Sequence, residues 1–128
     1  MSVVSLPTPA TGPVTTLSPG GKYIAIGNGE GLVTVLNAIT QDLVFVGSGH
    51  EGPVSVLSWS QDGAMLASGG QDQRVRVWDV RRGCIVCTFG HSGAVSSLAW
   101  APNGRQLVSA SGQELKRWNI TEELKQPA

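Results

Sequence analysis

Short runs rich in Val, Ile, Leu and Trp recur along this chain, each bounded by Gly, Asp, Asn, Pro or Gln. The clearest set follows Gly49-His50. It reads Val54-Ser55-Val56-Leu57-Ser58-Trp59, then Ser60-Gln61-Asp62-Gly63, then Met65-Leu66-Ala67-Ser68-Gly69-Gly70, then Gln71-Asp72-Gln73, then Arg74-Val75-Arg76-Val77-Trp78-Asp79. Val, Leu and Trp favour a pleated, half-buried surface, and Asp-Gly between two such runs is a strong hairpin signal. The pattern predicts three strands joined by two tight turns, with Arg74 and Arg76 on one strand face.

The set recurs. After Gly90-His91 come Val95 to Trp100, the turn Ala101-Pro102-Asn103-Gly104, Gln106-Leu107-Val108-Ser109, and Leu115-Lys116-Arg117-Trp118-Asn119. A more divergent copy lies upstream: Val14 to Leu17, Ser18-Pro19-Gly20-Gly21, Tyr23 to Ile26 and Leu32 to Asn37. His50 and His91 are 41 residues apart, Trp78 and Trp118 are 40 apart, and Leu36 and Trp78 are 42 apart. Residues 2–6, Leu43 to Val46 and Cys84 to Phe89 read as an outer strand for each unit. A period of 40 to 45 residues, with Gly-His at one end and Trp-Asp at the other, resembles the WD-repeat family over residues 12–119.

The resemblance implies an all-β fold: a partial, three-blade β-propeller of four-stranded antiparallel sheets. Residues 1–128 form a single domain, with blades at about 12–47, 50–89 and 91–119, a possible closing outer strand at 2–6 and a polar tail at 120–128. Propellers need about four to eight blades. The expectation is therefore a fragment, a short isoform or a half-ring completed by self-association or by another chain. In this family the His, Ser, Asp and Trp of a repeat form a buried hydrogen-bonded chain. Here that implies His50, Ser68, Asp72 and Trp78 in the second repeat, and His91, Ser109 and Trp118 in the third. No Asp stands in the shortened third turn, so that network is expected to be incomplete. The first repeat has Leu36 in the Trp position, Glu30 in the Asp position and no His, which leaves apolar packing alone. By the same resemblance, partners would dock at Pro53, Ser55 and Gln71, at Ala94 and Ser96, and at Pro13, Thr15 and Gly29. None of these is a Trp, Tyr or Arg of the kind that dominates binding energy.

The remaining chemistry is weighed against that frame. His50, Ser68 and Asp72 have the composition of a hydrolase triad. A nucleophilic Ser needs an exposed turn and an oxyanion hole, however, and Ser68 lies inside a strand. No catalytic residue, cofactor or metal is assigned. Cys84 and Cys87 lie three apart in a strand, so their thiols should point to opposite faces. With no second Cys or His pair they make no tetrahedral metal site, and both read as small core thiols. Gly27-Asn28-Gly29-Glu30-Gly31 is followed by a β-type run and no Gly-Lys-Ser/Thr, so it reads as a hairpin turn and not a phosphate loop. Nine basic residues balance nine acidic ones, which points away from nucleic acid and from membrane surfaces. No apolar run approaches the length of a membrane span, and the N-terminus lacks the features of a secretory signal. Free thiols without an export signal point to the cytoplasm or nucleus. The function expected is a non-catalytic protein–protein interaction scaffold. The alternatives are a histone-tail or phosphopeptide reader using a basic patch of Arg74, Arg76, Arg81 and Arg82, and a hydrolase using His50, Ser68 and Asp72.

Overall fold

The structure, a computed structural model, describes residues 14–112 and 114–120. It contains β1 (Val14–Leu17), β2 (Tyr23–Gly27), β3 (Leu32–Asn37), β4 (Leu43–Ser48), β5 (Val54–Trp59), β6 (Met65–Gly70), β7 (Arg74–Asp79), β8 (Cys84–Gly90), β9 (Ser97–Trp100), β10 (Gln106–Ser111) and β11 (Glu114–Asn119). Every pairing is antiparallel, and strand order follows the chain: β1-β2-β3-β4, β5-β6-β7-β8 and β9-β10-β11. The chain thus builds all-β blades of a partial propeller, two of four strands and one of three among the described residues. The candidate strand at 2–6 and the tail at 121–128 lie outside the described residues.

The sheets stack face to face, and period-2 alternation decides which side chains meet. Each sheet has a front, turned toward the next sheet in the chain, and a back, turned toward the previous one. The front of the first sheet presents Ala25, Val33 and Val35, which are fully buried against Leu57, Trp59, Leu66 and Trp78 on the back of the second. The front of the second presents Ala67, Val75 and Val77, buried against Leu98, Trp100, Leu107 and Trp118 on the back of the third. Small fronts receive bulky backs, which gives the dense interdigitation that protein interiors require.

Both seams are stitched in the same way. Trp59 Nε1 donates to Thr16 O at 3.3 Å, and Trp100 Nε1 donates to Ser58 O at 3.0 Å. Val54 N bonds Asn28 O at 3.0 Å, and Val95 N bonds Gly70 O at 3.1 Å. His50 N bonds Gly31 O at 3.2 Å, and His91 N bonds Gln73 O at 2.8 Å. Phe45 stacks on Trp78 and Phe89 on Trp118. Gly31, at φ +88°, suits its site doubly: only glycine adopts that backbone readily, and a Cβ there would strike the His50 carbonyl.

Two expectations need correction. The ninth strand begins at Ser97 and not at Val95, because Val95 is spent on the seam: its amide bonds Gly70 and its side chain fills the space above Gly69. The thiols are not split between opposite faces by simple alternation. A register shift between Val77 and Trp78 pairs Cys84 with Asp79 and Cys87 with Val77, two residues on one face of β7. Only Cys87 is buried, while Cys84 is exposed. Cys84 opens β8, an outer strand one face of which meets solvent.

A Cβ on Gly69 would lie 2.6 Å from Val95 Cγ1 and 2.9 Å from Val56 Cγ1. Gly69→Ala is therefore expected to lower unfolding free energy by about 1–3 kcal/mol, as overpacking does. Gly93→Ala, with nothing within 4 Å of the added carbon, should leave the denaturant midpoint unchanged. Equal midpoints for the two variants would contradict the seam geometry.

Candidate functional site

The polar residues singled out by the repeat meet at one end of the second sheet. His50 arrives on the loop between β4 and β5, Ser68 in the middle of β6, Asp72 in the β6–β7 turn and Trp78 in β7. Trp78 Nε1 donates to Ser68 Oγ at 2.9 Å, and Ser68 Oγ lies 2.8 Å from His50 Nε2. His50 Nδ1 lies 3.0 Å and 3.2 Å from the two Asp72 oxygens. One assignment satisfies every atom: Nδ1–H donates to Asp72, while Nε2 accepts the Ser68 hydroxyl proton. Asp72 also accepts from Glu51 N at 3.1 Å and Arg74 N at 3.3 Å, so the carboxylate ties the Gly-His loop to the β6–β7 turn.

The electrostatics agree with a neutral ring. Burial lowers the His50 pKa below its ordinary value, against the raising effect of Asp72, with Arg76 lowering it further. For Asp72, burial pushes upward, but hydrogen bonds from His50 and the Glu51 amide outweigh it and hold the carboxyl below the usual range. Ser68 is 0% exposed, with both of its hydrogen-bonding roles taken inside the sheet. No substrate could reach it, so the arrangement has the composition of a triad without its access.

The third sheet completes the same chain, against the expectation of a gap. Trp118 Nε1 donates to Ser109 Oγ at 2.7 Å, Ser109 Oγ lies 2.5 Å from His91 Nε2, and His91 Nδ1 lies 2.7 Å from Glu114 Oε1. Glu114 also accepts from Ser92 N at 3.1 Å, as Asp72 does from Glu51. The turn is one residue shorter, which moves the acid onto the first residue of β11, and the extra methylene of Glu spans the difference. The Ser92 amide and His91 hold the Glu114 carboxyl below its ordinary range. The turn holds no Asp at the position that matches Asp72, and Glu114 stands directly after it. A search for any acid next to the turn would have found it. In the first sheet neither His nor Trp is present. Asn28 Oδ1 instead caps its turn by accepting from Glu30 N and Leu32 N at 2.9 Å and 3.0 Å.

A second recurring contact was not foreseen. Arg76 reaches back to Gly49 O and to Thr88 Oγ1, and Lys116 Nζ reaches Gly90 O at 3.0 Å. Each cation holds the carbonyl of the glycine that precedes the histidine. Arg76 therefore does not share a free patch with Arg81 and Arg82. Those two lie beyond the other end of β7, where with Lys22, Tyr23 and Asp62 they line a cleft of about 670 Å³ between the first two sheets. The four arginines do not form one basic cluster, because a six-residue strand at about 3.3 Å per residue keeps the pairs apart.

Of the expected docking positions, Thr15, Gln71, Ala94 and Ser96 are exposed, while Pro53 and Gly29 are half-buried. Ser55 is half-buried, with its hydroxyl directed at Val95 O across the seam and at Gly69 O within its own sheet. Pro13 lies outside the described residues. Among the described residues, no group of three or more His, Cys, Asp or Glu is placed to hold a metal. Every buried side-chain nitrogen or oxygen there has a hydrogen-bond partner.

These shifts make the fold acid-sensitive. A His whose folded pKa lies below its unfolded value of 6.5 binds fewer protons folded than unfolded. Its contribution is full above that value and is lost as pH falls toward the folded pKa. Glu114 and Asp72 are depressed from 4.5 and 3.8, so their contributions fade in the same direction at lower pH. The thermal midpoint should fall in two stages on acidification, the first below 6.5. His50→Gln should remove that first stage and leave the second. A midpoint independent of pH between 7 and 5 in the parent chain, a window set around the ordinary His value near ~6.5, would contradict this.

The model of the family described as "WD domain, G-beta repeat" matches residues 41–79 and 83–119. Each match begins with an outer strand that hydrogen-bonds to the preceding sheet, so one sequence repeat bridges two blades. The chain is 33% identical over 79 residues to "Cell division control protein 4" of Saccharomyces cerevisiae, covering 62% of this chain and 10% of that one. It is 39% identical over 66 residues to "WD repeat-containing protein SL1-17" of Schistosoma mansoni, covering 52% and 22%. It is 33% identical over 63 residues to "Retinoblastoma-binding protein 5 homolog" of Drosophila melanogaster, covering 49% and 13%. The chain thus spans between 10% and 22% of the length of these relatives. The matched repeats extend over more than half of the chain, and the chain belongs to the WD-repeat family.

Proposed function

We propose that this chain acts as a non-catalytic protein-interaction scaffold, with its partners docking at the end of the sheets that carries the Gly-His loops. One observation carries the reading: Ser68 is wholly buried, and its hydroxyl is shared between His50 and Trp78. The polar chain is thereby saturated from within, and its output is position. It holds the loops at 49–53 and 71–73 at a set height above the sheet, and Glu114 does the same for the loop at 91–94. Membership of a repeat family widely used for protein docking supports the role. So does the name of one relative, a retinoblastoma-binding protein homolog, which states that it binds another protein. The exposed Gln71, Ala94, Ser96 and Thr15 are the side chains that would meet a partner there.

Ser68→Ala separates this reading from a hydrolase. It should cost about 1–3 kcal/mol of stability by orphaning buried partners. A hydrolase would lose an activity at an unchanged unfolding midpoint. The docking end is tested by Gln71→Glu combined with Ala94→Glu. These changes should abolish capture of the proteins that the parent chain retains in a pull-down read by mass spectrometry, with the midpoint unchanged. Undiminished capture by the folded variant would assign docking to another surface.

A further inference from the structure

The cleft of about 670 Å³ between the first two sheets lies at the end away from the Gly-His loops, and the buried polar chains make no use of it. Its size is that of a small-molecule site, for which about 300 to 1,000 Å³ is usual. Pro19, Tyr23, Val44 and Met65 give it apolar lining, and Lys22 from the first sheet meets Arg81 and Arg82 from the second around it. The hollow between the matching turns of the second and third sheets, bounded by Gln61, Asp62, Pro102, Asn103 and Gly104, measures about 280 Å³. No cation lines it among the described residues. The larger cleft and its charge therefore do not come with every pair of sheets.

The repeat shows that folding does not require these cations. Ala38 N bonds Lys22 O as Val80 N bonds Ala64 O, so Ala64 is the second sheet's match for Lys22. Gln41 N bonds Asn37 O at 2.8 Å as Gly83 N bonds Asp79 O at 2.7 Å, and Gln41 and Gly83 share a φ of +66°. Ile39 and Thr40 thus stand where the second sheet has Arg81 and Arg82, and the same turn forms without them. Nor do ion pairs hold the cations in place. Asp62 Oδ1 accepts from Ser60 Oγ at 2.8 Å and Ala64 N at 3.0 Å, and Asp79 Oδ1 accepts from Arg82 N at 3.1 Å. Both acids are thereby turned onto their own turns. Arg82 Nε lies 3.8 Å from Asp79 Oδ2, on a side chain 73% exposed. Among the described residues Lys22 and Arg81 have no ion pair. Lys22 Nζ lies 5.3 Å above the Tyr23 ring, which Trp59 holds by stacking at 6.0 Å. Like charges gathered around one cleft repel each other unless a counter-charge enters.

We propose that this cleft binds a phosphomonoester carried on an apolar body. Lys22 and Arg81 take the phosphoryl oxygens, which ammonium and guanidinium groups bind through strong charge-assisted hydrogen bonds. Arg82 adds its charge, and the body of the ligand rests on Val44 and Met65. A phosphoryl group suits the cleft better than a carboxylate. It carries close to two negative charges and three acceptor oxygens, enough to engage donors from both sheets at once. The site lies opposite the Gly-His loops and stands whether or not a partner docks there.

The test is isothermal titration calorimetry of the 128-residue chain with phenyl phosphate, with phenol, and with a short peptide bearing the same aryl phosphate as phosphotyrosine. Phenyl phosphate should bind saturably and phenol should not. Lys22→Ala, and separately Arg81→Ile with Arg82→Thr, install the residues that the matching turns already carry. Each should weaken binding by about tenfold or more, as loss of a charge-assisted hydrogen bond does, with the thermal midpoint unchanged. Added salt should weaken binding by the parent chain as well. A peptide that binds more tightly than phenyl phosphate assigns the phosphoryl group to a partner protein, and one that binds no better assigns it to a free small molecule. Either result supports the site. Should Lys22→Ala fail to fold, the double arginine variant decides. Undiminished binding by that folded variant would overturn the proposal, as would absence of binding of both phosphates by the folded parent chain.

Discussion

Each seam of this stack is governed by a missing side chain. Where Gly27 and Gly69 stand, the next sheet's valine comes closer than any Cβ would allow. That approach sets the distance between sheets. At that distance the indole of Trp59 reaches Thr16 O and the indole of Trp100 reaches Ser58 O, and the histidine amides reach the turn carbonyls at Gly31 and Gln73. The glycines contribute no contact of their own. They make room for all the others, and dispersion energy accrues only where atoms meet.

The buried polar chains depend on the same closeness. Trp78 lies against Gly47 and Gly49 of the preceding outer strand and loop, which leaves its ring no freedom and aims its N–H at Ser68. A buried hydroxyl, imidazole and carboxylate are costly unless each is matched, and here all are. The same three side chains would be reactive if solvent and substrate reached them. Buried, they instead act as a tie between a loop, a strand and a turn. The substitution of Glu114 for Asp shows that what is required is an acceptor at the right point in space, not a particular residue at a particular count.

The pattern of short apolar runs and turn residues showed nearly every strand, because alternation and turn chemistry are local properties. Ends were missed where a residue had through-space work. Val95 has the composition of a strand residue but belongs to the seam with Gly70. The same limit explains the basic cluster that dispersed. Arg74, Arg76, Arg81 and Arg82 are close in number, yet a strand carries the pairs to opposite ends of a sheet, and Arg76 is engaged with Gly49 O.

The amino-acid order by itself determined the all-β class, the period, the place of each hairpin and the identity of His50, Ser68, Asp72 and Trp78 as one set. The first three follow from alternation, turn chemistry and spacing within a repeat, and the polar set is what the resemblance to the WD-repeat family implies. Tertiary structure decided what lies between repeats. Trp59 and Trp100 bond carbonyls 43 and 42 residues away, Ser55 serves a seam, Cys84 meets solvent and Arg117 occupies a position that is buried valine in both neighbours. The reason is physical. Backbone pleat and turn geometry are set by near neighbours, whereas burial and partnership depend on which face another sheet comes to cover.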